Sequence, residues 1–135
     1  MINLGGLRSE ISGILQSELN DIDGILAVAL VDANGLPIGF MRREGLSISD
    51  VDLSLFSTSM NNVINRIRRI NPSSWFIDFK HRVITINGDQ YSIMVITDGD
   101  LNMIAVFENS VDANILMYRL MNDLESLRKL ISSIK

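Results

Sequence analysis

The segment Ile25–Asp32, ILAVALVD, limits the possible folds more than any other part of the chain. Small or branched apolar residues fill it up to Asp32. Alternate strand residues point to opposite faces, so an apolar strand of this kind needs a packed layer on each side. Asn34-Gly35 follow, and both tolerate the positive φ of a hairpin turn. Leu36–Met41 reads as the returning strand. Pro37 lacks a donor and suits a sheet edge. Helical patterns flank this hairpin on both sides, so the chain reads as α+β.

Before the hairpin, Leu4, Leu7, Ile11, Ile14 and Leu15 recur at helical spacing and predict a helix over about residues 3–19. Asp21, Asp23 and Gly24 end it. After the hairpin, Ser49 and Asp52 form a box-like N-cap. The helix they open runs to Ile70, where Asn71-Pro72 stop it. Its expected core stripe is Leu53, Phe56, Met60, Val63, Ile64, Ile67 and Ile70. Val83–Asn87, Tyr91–Thr97 and Met103–Glu108 read as strands. Trp75–Phe79 either extends the first of these or forms a separate strand. Asn109 or Ser110 is expected to cap a last helix with the stripe Ala113, Leu116, Leu120, Leu124, Leu127, Ile131 and Ile134. The order is α-ββ-α-βββ-α. It implies one antiparallel sheet of five strands covered by helices on both faces. A length of 135 residues fits one domain over 1–135.

Composition removes several function classes. The net charge of −4 opposes nonspecific nucleic-acid binding. The absence of cysteine removes disulfides and thiolate metal sites. The apolar run Ile25–Val31 is too short to span a bilayer, so no membrane insertion is expected. The opening Met-Ile-Asn-Leu shows no leader pattern, and a cytoplasmic setting is expected.

Reactive chemistry is hard to find. His81 stands between Lys80 and Arg82 without an orienting partner or nucleophile in any motif. Asp98-Gly-Asp100-Leu-Asn102 begins like a calcium loop. Met103 stands where such a loop needs Gly, and Asn109 where it needs Glu, so a plain turn is the better reading. Phosphate loops, dinucleotide fingerprints and nucleophile elbows are missing. No catalytic residue, cofactor or metal is therefore expected. Arg66, Arg68 and Arg69 could stabilise phosphoryl-transfer charge. A basic last turn that complements the helix dipole explains them more simply.

Val51 and Leu55 fall outside the core stripe, on a flank with Thr58, Asn62, Arg66 and Arg69. Ser54, Ser57, Thr58 and Ser59 surround them and would let another backbone come close. An interface and scattered surface apolar residues are equally good readings of this pair.

The element order, with Gly24, Val28–Asp32, Gly35, Leu36 and Ile38 in the first hairpin, resembles the roadblock family, which includes dynein light chains. ITINGDQYSIMVITDGDLNMIAVFEN is similar to that family's three-stranded meander. The resemblance implies an α/β/α three-layer sandwich of sheet order 2-1-5-4-3, with the second helix on one face and the first and third on the other. It also implies a homodimer whose third strands pair across the two-fold axis and whose second helices lie side by side. The edge strand would then include Trp75, Ile77, Phe79, Val83 and Thr85. The resemblance further implies a small Ras-like GTPase as partner, bound by a scaffold or by an activator that reshapes the GTPase's own switch regions. The chain departs from the family pattern at Ser74–Arg82.

These readings converge on a non-catalytic, homodimeric regulator or scaffold that binds a small Ras-like GTPase and stimulates its hydrolysis. A scaffold or light-chain-like subunit without effect on hydrolysis is one alternative. A small-ligand sensor on a profilin-like or PAS-like fold is another. That sensor needs an apolar pocket, which the well-filled helix stripes oppose.

Overall fold

Five antiparallel strands form one sheet in the order β2-β1-β5-β4-β3. The strands are β1 (Ile25–Asp32), β2 (Pro37–Arg42), β3 (Arg82–Asn87), β4 (Tyr91–Thr97) and β5 (Leu101–Glu108). Three helices cover them: α1 (Leu4–Asp21), α2 (Asp50–Ile70) and α3 (Ala113–Ser132). The computed structural model describes residues 4–70, 82–98 and 100–133, and of these gives the backbone alone for 4, 5, 64, 65, 67–70 and 82. The expected element order, sheet order and fold class are all present.

The middle strand is β5, with β1 beside it. Every β5 residue from Leu101 to Phe107 is buried, which is what a strand with a neighbour on each side and a layer on each face requires. It begins two residues before the Met103 start read from the sequence. The alternation of side chains splits the core in two. Val28, Leu30, Met94, Ile96, Met103, Ala105 and Phe107 pack with Ile11, Leu15 and Leu19 of α1 and with Leu116, Leu120, Leu124 and Leu127 of α3. Ala27, Ala29, Val31, Val95, Ile104 and Val106 point the other way and meet Leu53 of α2, with Phe56 and Met60 partly buried beside it.

The β1–β2 turn forms at Asn34-Gly35 as read. Asp32 N–H donates to Leu36 O at 3.0 Å, leaving a three-residue loop, and only Gly35 has a positive φ, of 85°. This is a tight turn followed by a left-handed glycine. Asp32 stabilises it, its Oδ1 accepting the N–H groups of Asn34 and Leu36, each at 2.9 Å.

The cap of α3 is Asp112, whose carboxylate accepts the N–H groups of Asn114 and Ile115. Asn109 is engaged elsewhere: its amide donates to Gly88 O at 2.9 Å and its Oδ1 accepts the Ser92 hydroxyl at 2.6 Å. It binds the end of β5 to the β3–β4 turn and so cannot start the helix. The Ser49–Asp52 box is formed as read. Ser49 N–H donates to Asp52 Oδ2 at 3.0 Å, and Asp52 N–H donates to Ser49 Oγ at 3.2 Å.

Candidate protein-interaction surface

The outer flank of α2 carries most of the residues singled out from the sequence. Val51 is 57% exposed and Leu55 64% exposed, so both stand clear of the core as the helical projection requires. Val51, Ser54, Leu55 and Thr58 line a groove of about 240 Å³ whose other wall is Asn34, Gly35 and Pro37 of the β1–β2 turn. Thr58 packs so tightly against this turn that a Cβ on Gly35 would lie 2.9 Å from its Oγ1. Asn62 and Arg66 continue the exposed side of the helix beyond the groove. The side chain of Arg69 lies outside the described residues.

Two expectations about α2 need correction. Val63, placed in the core stripe, is 42% exposed. Ser54 and Ser57, placed around the outer apolar pair, are 7% and 0% exposed and face the sheet. The seat of α2 is therefore rotated from the projected stripe toward its small polar residues. Leu53 stays buried, while Phe56 and Met60 are only partly covered. Small residues let a helix sit close over the Ala27 and Ala29 side of β1, and hydropathy alone does not register that.

At the opposite end of the sheet, β3 is an edge strand, with β4 as its strand neighbour among the described residues. Thr85 is exposed, whereas Val83 is partly buried against the core shared with α1 and α3. Trp75, Ile77 and Phe79, expected on this edge, lie outside the described residues, as do the Trp75–Phe79 strand and His81.

The remaining candidates resolve into structural roles. Asp98 Oδ1 accepts the N–H groups of Asp100 and Leu101, each at 3.0 Å, which makes Asp98–Leu101 a hairpin turn. Arg128 of α3 pairs with Asp98 at 3.4 Å and Asp100 at 3.0 Å, across a hollow of about 510 Å³ lined by Asp32, Ile38, Leu101 and Ile131 among others. Among the described residues no group of three histidine, cysteine or acidic side chains could hold a metal ion. No helix among them is long and apolar enough to cross a membrane.

Solved structures share this arrangement over nearly the whole chain. The gliding protein MglB of Thermus thermophilus aligns with a TM-score of 0.77 at 11% identity, over 94% of this chain and 92% of that one. Myxococcus xanthus MglB aligns with a TM-score of 0.75 at 16% identity, over 93% of this chain and 97% of its own. A Roadblock/LC7 domain from Streptomyces avermitilis aligns with a TM-score of 0.74 at 13% identity, over 90% of this chain and 97% of its own.

The chain has the roadblock fold. Neither the protein-family models nor the curated proteins contain a sequence match to it. At such identities the likeness is one of roadblock architecture; the packing of the chain's own core places α2 on one face of the sheet and α1 and α3 on the other, as expected from the resemblance. Within that architecture the Asn34–Pro37 wall of the groove was not foreseen. Pro37 drew notice only as an edge residue, and nothing local links it to Leu55. The seating of α2 beside the β1–β2 turn brings them together.

Proposed function

We propose that the protein is a homodimeric regulatory or scaffold subunit that binds a small Ras-like GTPase through the layer carrying α2, and that it stimulates GTP hydrolysis without supplying catalytic groups. The observation that carries this reading is the pair Val51 and Leu55, exposed beside a groove on a roadblock fold. Exposed apolar residues gathered beside a concave wall support an interaction surface over singly scattered surface residues. The groove lining contains no titratable residue, which supports a binding role over a chemical one.

The homodimer is supported by the second exposed feature. An unpaired edge strand invites pairing unless something covers it. Joining β3 to its copy across a two-fold axis removes that hazard by an isologous contact. Charge along α2 supports an antiparallel arrangement of two copies, because Asp50 and Asp52 stand at one end and Arg66, exposed, toward the other. One MglB has been solved with a tetrameric arrangement, so self-association occurs on this fold in that protein.

The test has two parts. Sedimentation across micromolar concentrations is expected to show a dimer, and a monomer throughout refutes that half. Turnover by the host's Ras-like GTPases is then measured with and without excess protein. Binding to the GTP form with a raised hydrolysis rate is expected. Binding with an unchanged rate makes the protein a scaffold, and no binding in either nucleotide state rejects the partner.

A further inference from the structure

Over its described side chains, helix α2 buries two serines while leaving three apolar residues exposed. Ser54 and Ser57 are buried against the sheet, and neither hydroxyl has a hydrogen-bond partner. Asn61 reaches the buried Asn102 at 3.3 Å. Among the described side chains of α2, Leu53 is the buried apolar residue, with Phe56 and Met60 partly buried beside it. Val51, Leu55 and Val63 meanwhile face solvent. Helix α3 has the opposite arrangement, with Leu116, Leu120, Leu124 and Leu127 all fully buried.

The contrast has an energetic meaning. Burying a hydroxyl without a partner disfavours the seated state, and Val51, Leu55 and Val63, which stay outside, do nothing to offset this cost. Segments with few buried apolar contacts open locally at lower free energy than the rest of a domain. Anything that binds only the seated form stabilises it by mass action.

We infer that α2 is weakly seated in the isolated protomer and that burial of its outer flank by a second copy completes the seat. The association surface proposed above is the basis of this inference, which adds a coupling: α2 is held firmly only in the assembled protein. A second copy is the occupant favoured by the charges, since the acidic start and basic end of α2 complement their own image when two such helices run antiparallel. A partner that reads assembled α2 would then respond to dimer formation as well as to the surface itself.

Backbone hydrogen exchange on the full chain tests this, at concentrations above and below the dissociation seen by sedimentation. On dilution, amides of residues 53–63 are expected to exchange about tenfold faster or more, while those of β5 and residues 116–127 hold their rates. Ser57→Ala removes an unpaired hydroxyl and leaves the outer flank intact. In dilute protein it should slow α2 exchange toward that of α3, and Ser54→Ala should act in the same direction. A dimer that dissociates while α2 stays as protected as α3 overturns the coupling and leaves the dimer standing. Alanine variants with unaltered α2 exchange overturn it as well. A chain that is monomeric at every concentration rejects the association surface itself, and the coupling with it.

Discussion

Glu18 is the residue whose chemistry the fold alters most. It lies on α1, fully buried against α3, and neither carboxylate oxygen meets a hydrogen-bond partner of good geometry. Burial first, then the neighbouring Asp123, push its pKa up to about 10 from an ordinary 4.5, against the opposing pull of Arg119. Arg119 is itself committed to Asp21 at 3.0 Å, Asp123 at 2.9 Å and the Ser17 hydroxyl at 2.9 Å. Glu18 is thus protonated in the folded protein at neutral pH. Between the unfolded and folded values the native state binds more protons than the unfolded one, so this group lowers stability as pH rises through that window. Glu18→Gln keeps the shape and removes the cost. We expect it to stabilise the protein by about 1–3 kcal/mol near pH 8 and by nothing near pH 4. Thermal melts at the two pH values measure this, and an equal gain at both would mean that ionisation is not the cause. Helical spacing puts Glu18 on the face of Ile11 and Leu15, but the depth of its burial is set only once α3 has closed over α1.

Among the elements, ends and contacts were legible to different degrees. The Ser49–Asp52 box was legible because both partners lie within one turn. Hydrogen bonds from the Ser49 backbone and hydroxyl hold the Asp52 carboxyl below its usual range, so this contribution is present at neutral pH and lost as pH falls. Ser49→Ala should cost about 1 kcal/mol, read by urea denaturation, and Ser49→Asp should restore most of it. No measurable change in the alanine variant would mean that the box does not hold α2. The end of α1 was legible at Asp21 and Gly24, but the contact that ties it down was not. Arg43, just past the end of β2, turns back and donates to Ile25 O at 2.6 Å and Leu19 O at 2.7 Å. That closure joins residues far apart in sequence. Gly39 is similar: a Cβ there would lie 2.7 Å from Ile11 Cγ2, so the glycine lets α1 settle onto β2.

At the scale of the whole molecule the question is what α2 and the sheet edge are for. Leu55→Asp places a charge on the exposed flank and should weaken association by about tenfold or more in dissociation constant. Since Leu55 is 64% exposed, the protomer's own stability should move by no more than about 0.5 kcal/mol. Sedimentation and melting of the same variant check the two halves. Unfolding would show that the residue is core, and unchanged association would remove it from the interface.

The sequence by itself determined the elements, the two-faced sheet and the absence of a familiar catalytic motif. Those properties are written in hydropathy period, turn residues and caps, all of which act over a few residues. The tertiary structure decided the rest: how α2 is rotated on its seat, how deeply Glu18 is buried, and that Pro37 faces Leu55 across one groove. Each of these depends on side chains brought together by packing between elements, and no local pattern encodes a distance between residues that meet only after the sheet has formed.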